Sequence, residues 1–527
     1  MQPPFGMFQK NKFWIFLTGL SLAVMVLGGV ATSRYGAGVA SDSVKYLAVA
    51  QNLLDGNGLF DHRGLPLLSW PPLYSIMLAG MHVLTGLDVF VAGWYFNIFL
   101  LGLDLFLSGV IFQRVFFTKP LYAYLATVFV FLSISSLRIH ATVGSDAFYL
   151  TMTLLFLLTM DDYVQRRSYR AFAWVVVLSA LAPLLRYVGL AVAVSAGIVI
   201  LIENRKRMRV LLRDGFVLGI FSVAPIFWWL VIHNIMTYGS LWGTSNDRTV
   251  DRTVDVFRNT ELAFTKMLHW FVPYLSAIMP ILTRPFIVLG ILVLVLALIN
   301  RRDNGNWLAW LREFALPPTY PTMVYAVVYF SAVASTIITS DHRYLHSDRY
   351  YVILLVPTMI FAFVTYDILI KPHLNLSVKQ GAYALMIVFA LWTVYPLYGI
   401  REYLVNALER GEPSDYNLFN TRAYHESMIV PEMQRLRESQ PDALVYSNYV
   451  DAVWFYTRKP VTILPIRDVT DLTAAYAGWP HDKAGYIVWF KPNEYKHYLS
   501  PDELAQFGSL ELVYTDSSGD IYFVQSR

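Results

Sequence analysis

The chain has 527 residues, of which 56% are hydrophobic and only 15% are charged, and it contains no cysteine. Soluble proteins carry roughly 25% charged residues, so the composition excludes an ordinary soluble protein, and the absence of cysteine excludes disulfides, thiolate catalysis and cysteine-ligated metals. The net charge of +4 gives no reason to expect a nucleic-acid partner, because most Lys and Arg residues flank hydrophobic segments.

Hydrophobic runs long enough to cross a bilayer, about 20 residues each, predict a polytopic α-helical membrane protein of the plasma (inner) membrane. The first run follows Lys10 and Lys12 but lacks a small-residue cleavage site, so we expect an uncleaved helix. We predict about eleven spans, at 14–32, 88–113, 120–137, 146–162, 171–185, 187–202, 215–236, 284–300, 321–339, 350–370 and 381–399.

The basic clusters fall in alternate loops, all on the side of the N-terminus, and positively charged loops are typically cytoplasmic. The sequence therefore predicts a cytoplasmic N-terminus and an extracytoplasmic C-terminus. The clusters are Lys10/Lys12, Arg114/Lys119, Arg166/Arg167/Arg170, Arg205 to Arg213, Arg301/Arg302 and Lys371/Lys379.

Residues 33–87 form the first external loop in this topology. The pattern of 43–55 predicts an amphipathic helix that ends at Gly56. Pro71-Pro72 opens a second apolar stretch, "LYSIMLAGMHVL", which is too short to span a bilayer comfortably. We expect this second helix to lie in the membrane interface.

Asp42 is the first candidate for chemistry, and two compatible roles are open to it. Either it or Ser41 caps the helix that is expected to begin at Ser43. Alternatively, Asp42 is a general base that takes the proton of an acceptor hydroxyl. The nearby aromatic residues Tyr46, Trp70 and Tyr74 are able to stack on a sugar.

Two further charged residues stand at the predicted external ends of spans. Asp146 either caps the fourth span or assists a base, by orienting an acceptor or by holding a divalent cation. Arg186 interrupts a hydrophobic stretch between 171–185 and 187–202, where charge is expensive. It is either a snorkelling anchor or an anion clamp on a lipid phosphate.

The segment 340–357 clusters Arg343, His346 and Arg349 with tyrosines, either as a headgroup-facing edge or as part of a phosphate site. Asn234 lies in an aromatic-rich exit of the seventh span. Asp104, inside the second span, is expected to be paired within the helix bundle rather than catalytic.

Residues 400–527 are predicted to form an extracytoplasmic soluble α/β domain, which follows a transmembrane catalytic domain at 1–399. Polar helical pieces at 428–438 and 501–507 alternate with short β-rich runs. The runs are "ALVYSN", "VTILP", "AGYIVWF", "LELVYT" and "IYFVQ".

The order of several motifs resembles the C-type (GT-C) polytopic glycosyltransferases, nearest the group of protein O-mannosyltransferases and lipid A aminoarabinose transferases. The resemblance covers roughly residues 10–370. It rests on an acid at the start of the first loop, followed by "A..NLL.G.G", "WPPLY", "VGSD.FYL", "LLRYVGL", "HN...YGSLWG" and "SDRYYVILLVP".

This resemblance implies an inverting transferase that takes a monosaccharide from a polyprenyl-phosphate carrier at the extracytoplasmic face. Asp42 matches the family's catalytic acid, and Asp146 falls at the second acidic motif, where many relatives have Glu. The lone acid in "SDS" counts against the protein O-mannosyltransferases, which show Asp-Glu there. The expected donor phosphate-binding residues are Arg186, Arg349, His346 and Arg343, and the expected sugar- or acceptor-lining residues are Tyr46, Trp70, Tyr74, Tyr187, Asn234 and Tyr350.

The resemblance requires no cofactor, although a divalent cation between Asp42, Asp146 and phosphate oxygens is compatible with it. The expected partners are the sugar lipid, membrane lipids and an acceptor that is a glycan, a lipid or a protein. Two other classes remain open: a transporter or flippase for a lipid-linked or small solute, and a non-catalytic receptor or assembly subunit. Many transporters are built from internal repeats that relate one half of the chain to the other. The sequence shows no such repeat, which argues against a transporter.

Overall fold

The computed structural model describes residues 7–241, 256–271, 313–316, 319–339, 347–374, 377–414, 418–467, 469, 471–480, 484–491 and 497–526. Most of these residues are helical. In chain order the helices are α1 Met7–Ala31, α2 Ser41–Leu54, α3 Leu73–Thr85, α4 Val89–Val115, α5 Pro120–Phe131, α6 Ile134–His140, α7 Ser145–Arg166, α8 Tyr169–Leu185, α9 Leu190–Asn204, α10 Met208–Phe227, α11 Val256–His269, α12 Thr319–Thr339, α13 Leu355–Thr365, α14 Val378–Val405, α15 Arg422–His425, α16 Ile429–Ser439, α17 Val450–Thr457, α18 Leu472–Ala475 and α19 Pro501–Leu504.

Within the described ranges, six helices are long and apolar enough to cross a membrane, or seven if the bent pair α5 and α6 is one span. The structure thus confirms a polytopic helical protein, while the count of about eleven stays a prediction. The predicted spans 171–185 and 350–370 correspond to shorter apolar helices, and 284–300 lies outside the described residues. The six are Asn11–Ala31, Val89–Val115, Ser145–Arg166, Tyr187–Asn204, Met208–Thr237 and Lys379–Arg410.

By its internal contacts the chain divides into two compact units. Among the described residues, the first unit comprises those up to Ala31 and those from Tyr95 to Val405, and the second comprises Thr32–Trp94 and Asn406–Arg527. The predicted first external loop, which the sequence groups with the transmembrane region, therefore belongs to the same unit as the C-terminal segment. The predicted domain bounds 1–399 and 400–527 stay a prediction.

A buried polar cluster ties three helices of the first unit together. Asp104 of α4 accepts a hydrogen bond from the Thr151 hydroxyl at 2.5 Å and lies 3.0 Å from His140 Nε2. His140 Nδ1 is 2.7 Å from the Ser136 carbonyl oxygen, so Nδ1 carries a proton. The expectation that Asp104 is paired within the bundle is confirmed.

The predicted first external loop contains the two predicted helices. The first helix begins two residues earlier than expected, at Ser41, and ends at Leu54. The second begins at Leu73 directly after Pro71-Pro72, and Gly86 ends it with φ 70°. Glycine adopts that left-handed conformation without steric cost.

All five predicted β-rich runs form strands of one mixed sheet, namely β1 Leu444–Ser447, β2 Thr462–Ile463, β3 Gly485–Phe490, β4 Gly508–Thr515 and β5 Gly519–Ser526. Their order in the sheet is β2-β1-β3-β5-β4. Strand β1 pairs in parallel with β2 and β3, whereas β5 pairs antiparallel with β3 and β4. The side chains of Ile487, Leu504 and Val524 are fully buried in its core.

Candidate functional site

A sharp turn between α8 and α9 presents Arg186, as the sequence predicts. Helix α8 ends because Arg186 is extended, with φ −151° and ψ 138°, and a single 3₁₀ turn, Tyr187–Gly189, leads into α9. Gly189 packs directly on the backbone of α8. A Cβ at this position would lie 2.2 Å from the Ala182 carbonyl oxygen, so only glycine fits without displacing the turn.

Arg186 and Asp146 form an ion pair in the first unit. Arg186 Nη1 lies 2.6 Å from Asp146 Oδ1, and the two side chains are 18% and 14% exposed. The same nitrogen donates to the Ser145 hydroxyl at 3.3 Å. Helix α7 begins at Ser145 with Gly144 in the N-cap position, so the interpretation of Asp146 as the cap is wrong. Its carboxylate instead orients and neutralises Arg186.

Three buried tyrosines form a cluster next to this ion pair, and none of them was predicted from the sequence. Tyr149 of α7 exchanges a hydrogen bond with Tyr325 of α12 at 3.2 Å, and its ring stacks on Tyr329. Arg186 and Asp146 are both close enough to act electrostatically on the Tyr329 hydroxyl. The available signal was the spacing of four between Tyr325 and Tyr329, which places both rings on one helix face.

The tyrosine cluster connects Arg349 to the same region. Arg349 and Tyr350 lie in a 3₁₀ turn, Asp348–Tyr350. The Tyr329 hydroxyl donates to the Tyr350 carbonyl oxygen at 2.9 Å, and Arg349 Nη2 donates to the Tyr350 hydroxyl at 3.0 Å. The other two predicted phosphate-binding residues, Arg343 and His346, lie outside the described residues.

Tyr187 and Asn234 are held by a π-helical segment, Trp228–Thr237, that continues α10. Trp229 Nε1 donates to the Tyr187 hydroxyl at 3.2 Å. Asn234 is fully buried and donates to the Leu241 carbonyl oxygen at 2.7 Å. π-helical turns are rare in proteins, and those that occur are often found at functional sites. The π-helical segment therefore favours a functional site around Tyr187 and Asn234. These contacts fix the residue that follows Arg186.

Asp42 lies in the first turn of α2, in the second unit, and does not cap that helix. The helix begins at Ser41 and the N-cap position is taken by Ala40, whose backbone N–H donates to the Ser43 hydroxyl at 3.0 Å. The expectation that Asp42 or Ser41 caps a helix beginning at Ser43 is therefore wrong, because Ser43 supplies the capping bond. A carboxylate in the first turn is still favoured by the helix dipole.

The aromatic residues near Asp42 are engaged with protein groups. Tyr46 and Tyr74 are buried and pack edge to face, with ring centroids 5.1 Å apart. Lys45 Nζ stands 3.7 Å above the centre of the Trp70 ring, in the geometry of a cation–π contact. One face of Trp70 is thus covered by a cation. The roles of these residues in lining a sugar or acceptor stay predictions.

The predicted acids belong to different units, Asp42 to the second and Asp146 to the first. Their convergence on one external cavity stays a prediction, as does a divalent cation between them. Among the residues that the structure describes, no group of three or more His, Asp or Glu side chains is arranged to hold a metal ion.

The fold is that of ArnT. The chain is similar to the crystal structure of ArnT from Cupriavidus metallidurans in the apo state, with a TM-score of 0.63 and 16% identity over 98% of each chain. Against the same protein bound to undecaprenyl phosphate, the TM-score is 0.57 and the identity 14%, over 97% of this chain and 98% of that one. The oligosaccharyltransferase of Archaeoglobus fulgidus in the apo form gives a TM-score of 0.47 and 11% identity, over 86% of this chain and 64% of that one. No family model matches the sequence, and no curated protein matches it.

Proposed function

We propose that this chain is an inverting glycosyltransferase of the plasma (inner) membrane. It moves a monosaccharide from a polyprenyl-phosphate carrier to an acceptor hydroxyl at the extracytoplasmic face. The proposal includes the topology of about eleven spans, with a cytoplasmic N-terminus. Support comes from the shared fold with ArnT, which has been crystallised with undecaprenyl phosphate.

One observation carries the proposal within this chain, namely the pair of Arg186 and Asp146 at the end of an apolar helix. A charge at such a position is expensive and usually functional. The planar fork of a guanidinium matches two phosphate oxygens, and the carboxylate of Asp146 keeps it oriented between substrates. Arg349, linked through Tyr350 and Tyr329, supplies a second cation to the same network.

The reaction follows from these charges. The acceptor oxygen attacks the anomeric carbon while the bond from that carbon to the phosphate oxygen breaks, so the configuration inverts. Asp42 takes the proton of the acceptor hydroxyl. The bonding electron pair leaves with the polyprenyl phosphate, whose charge is neutralised by Arg186 and Arg349. Activation of the sugar occurs in an earlier reaction that forms the lipid-linked donor.

The purified full-length chain tests this proposal with a panel of undecaprenyl-phosphate-linked hexoses, pentoses and aminosugars. We expect one donor to release undecaprenyl phosphate in a time-dependent reaction that is lost in Asp42→Asn. NMR of the product is expected to show the opposite anomeric configuration from the donor. Movement of the sugar lipids across reconstituted vesicles, without cleavage of any of them, would instead support the transporter alternative.

A further inference from the structure

A buried charge cluster lies in the second unit, where α2 packs against α17. Asp451, in the first turn of α17, has its Oδ1 3.0 Å from Nε2 of His62, and the two side chains are 15% and 1% exposed. Asp451 also accepts a hydrogen bond from the Ser41 hydroxyl. The C-terminal segment thereby reaches the residue that directly precedes Asp42.

Lys45 lies between the carboxylates of this cluster. Burial lowers the pKa of Lys45 below its ordinary value, while the negative charges of Asp42 and Asp451 act in the opposite direction. Residues three apart on a helix share one face, so Lys45 and Asp42 are neighbours on α2. The cation is therefore stabilised by the Trp70 ring and by two carboxylates, one from each segment.

The other charges near Lys45 are already matched. Asp61 receives two bonds from the Arg63 guanidinium, at 3.0 and 2.8 Å, so these two charges largely cancel at Lys45. Burial would raise the pKa of Asp451, but the contact with His62 and the positive charge of Lys45 hold it below the ordinary value. Asp451 is thus an anion that complements Lys45.

We propose that Asp451, held by His62, is a positioning residue for Asp42. It fixes the first turn of α2 through Ser41 and keeps Lys45 charged, so that this cation holds the Asp42 carboxylate in place. The C-terminal segment is therefore a working part of the reaction centre and not only an appendage. This inference rests on the proposed role of Asp42 in glycosyl transfer.

The test is the pH dependence of transfer by the full-length chain, with the undecaprenyl-phosphate sugar that the wild type uses best. Asp451→Asn keeps the shape of the side chain and removes its charge. We expect kcat to fall roughly 10- to 100-fold with an unchanged KM for the donor. The alkaline limb of the profile is expected to move to lower pH by about one unit or more, because Lys45 then loses its proton more readily and no longer holds Asp42.

Asp442→Asn is the matched control, since Asp442 is exposed and lies in the same segment; we expect it to behave as wild type. Asp451→Glu, which restores the carboxylate, is expected to recover the alkaline limb and part of kcat. It also serves as the test variant if thermal unfolding shows that Asp451→Asn does not fold. A purely structural role would make the longer side chain at least as harmful and leave the pH profile unmoved.

The inference is overturned if Asp451→Asn folds and its pH profile superimposes on that of the wild type, or if only its KM changes. Where Asp451→Asn does not fold, Asp451→Glu decides the question. The inference is then overturned if the alkaline limb of Asp451→Glu is displaced from that of the wild type although the carboxylate is present. These outcomes differ from failure of the proposed function. That failure is an inactive wild type with every donor, or an Asp42→Asn variant that retains full activity.

Discussion

At the scale of single residues, the candidate site depends on how buried charges are compensated. Arg186 is paired with Asp146, and Asp104 is paired with His140 and Thr151. The first pair stands at the end of two helices, next to a turn that only glycine permits, whereas the second lies inside the bundle. We therefore propose a binding role for the first pair and a structural role for the second.

Arg186→Lys separates charge from geometry at the proposed donor phosphate. Lysine keeps the positive charge and an ion pair with Asp146, but it cannot offer two parallel N–H groups to phosphate oxygens. We expect the donor KM to rise about 10-fold, which corresponds to about 1.4 kcal/mol of lost binding. The measurement is steady-state release of undecaprenyl phosphate.

Arg166→Lys is the matched control for this change. Arg166 is at the other end of α7, its side chain is 74% exposed, and it faces Asp162 at 3.8 Å. Exposed ion pairs contribute little, so its kinetics are expected to equal those of the wild type. An Arg186→Lys variant with the same KM and kcat as this control would contradict the phosphate assignment.

Asp104→Ala tests the structural role of the buried pair. The change leaves His140 and Thr151 without their shared acceptor, and breaking such a pair typically costs about 3–5 kcal/mol. We expect a clearly lower midpoint in thermal unfolding of the purified protein. Asp55→Ala, at an exposed position that accepts one bond from Gln51 at 2.9 Å, is expected to leave the midpoint nearly unchanged. Equal midpoints for both variants would refute the role of Asp104.

Sequence patterns predicted some of these residues and not others, for physical reasons. Charge in an apolar run is costly enough to indicate a partner, so the pairing of Asp104 and the turn at Arg186 followed from the sequence. Tyrosines such as Tyr325 are common at membrane interfaces, so the sequence alone did not indicate that they are buried next to the ion pair. The prediction that Asp42 or Ser41 is the N-cap was wrong because the N-cap position is occupied by Ala40, whose side chain cannot form a capping bond. The Ser43 hydroxyl accepts the capping bond instead.

At the scale of secondary-structure elements, the turn between α8 and α9 positions the proposed phosphate site. Gly189→Ala would bring a methyl group against the Ala182 carbonyl, where the approach is 2.2 Å. The turn has to shift, and Arg186, whose carbonyl accepts a bond from Gly189 N at 2.7 Å, shifts with it. We expect transfer activity to fall roughly 100-fold, together with some loss of thermal stability.

Gly197→Ala, in helix α9 that follows this turn, is the control for glycine replacement as such. The nearest atom to a Cβ there is a Leu218 methyl carbon at 4.0 Å, which is ordinary contact. Alanine also favours a helix over glycine, so this variant is expected to be as stable and as active as the wild type. Full activity in Gly189→Ala would show that the turn is not required.

Elements were predicted more reliably than their ends. Five short β-rich runs in 400–527 became five strands, because alternation and flanking polar residues indicate strands locally. The mixed order of those strands depends on long-range pairing that no local pattern encodes. The same holds for the packing of the first external loop with the C-terminal segment.

At the scale of the whole molecule, the predicted topology is open to a direct test because the chain has no cysteine. A single introduced cysteine is then the only site for a maleimide. Glu438→Cys in α16 and Arg209→Cys in α10 are both at exposed positions. A membrane-impermeant maleimide is expected to label Glu438→Cys in intact cells, and Arg209→Cys only after permeabilisation.

This pair of variants controls for reagent access, since both sites are expected to react in permeabilised cells. The prediction follows from the positive-inside rule, which places the basic loop around Arg209 in the cytoplasm. Labelling of Arg209→Cys in intact cells, with protection of Glu438→Cys, would reverse the orientation. The proposed reaction would then face the wrong side of the membrane.

The central claim is that the chain transfers one sugar with Asp42 as the base, and mass spectrometry of cell-envelope glycans, lipids and glycoproteins tests it most directly. Cells that lack the gene are compared with cells that carry the wild type, Asp42→Asn or Asp55→Asn, the last an exposed control on the same loop. We predict that deletion removes the mass of one hexose, pentose or aminosugar, which the wild type and Asp55→Asn restore and Asp42→Asn does not. Restoration of that mass by Asp42→Asn, or no sugar difference on deletion, would contradict the account.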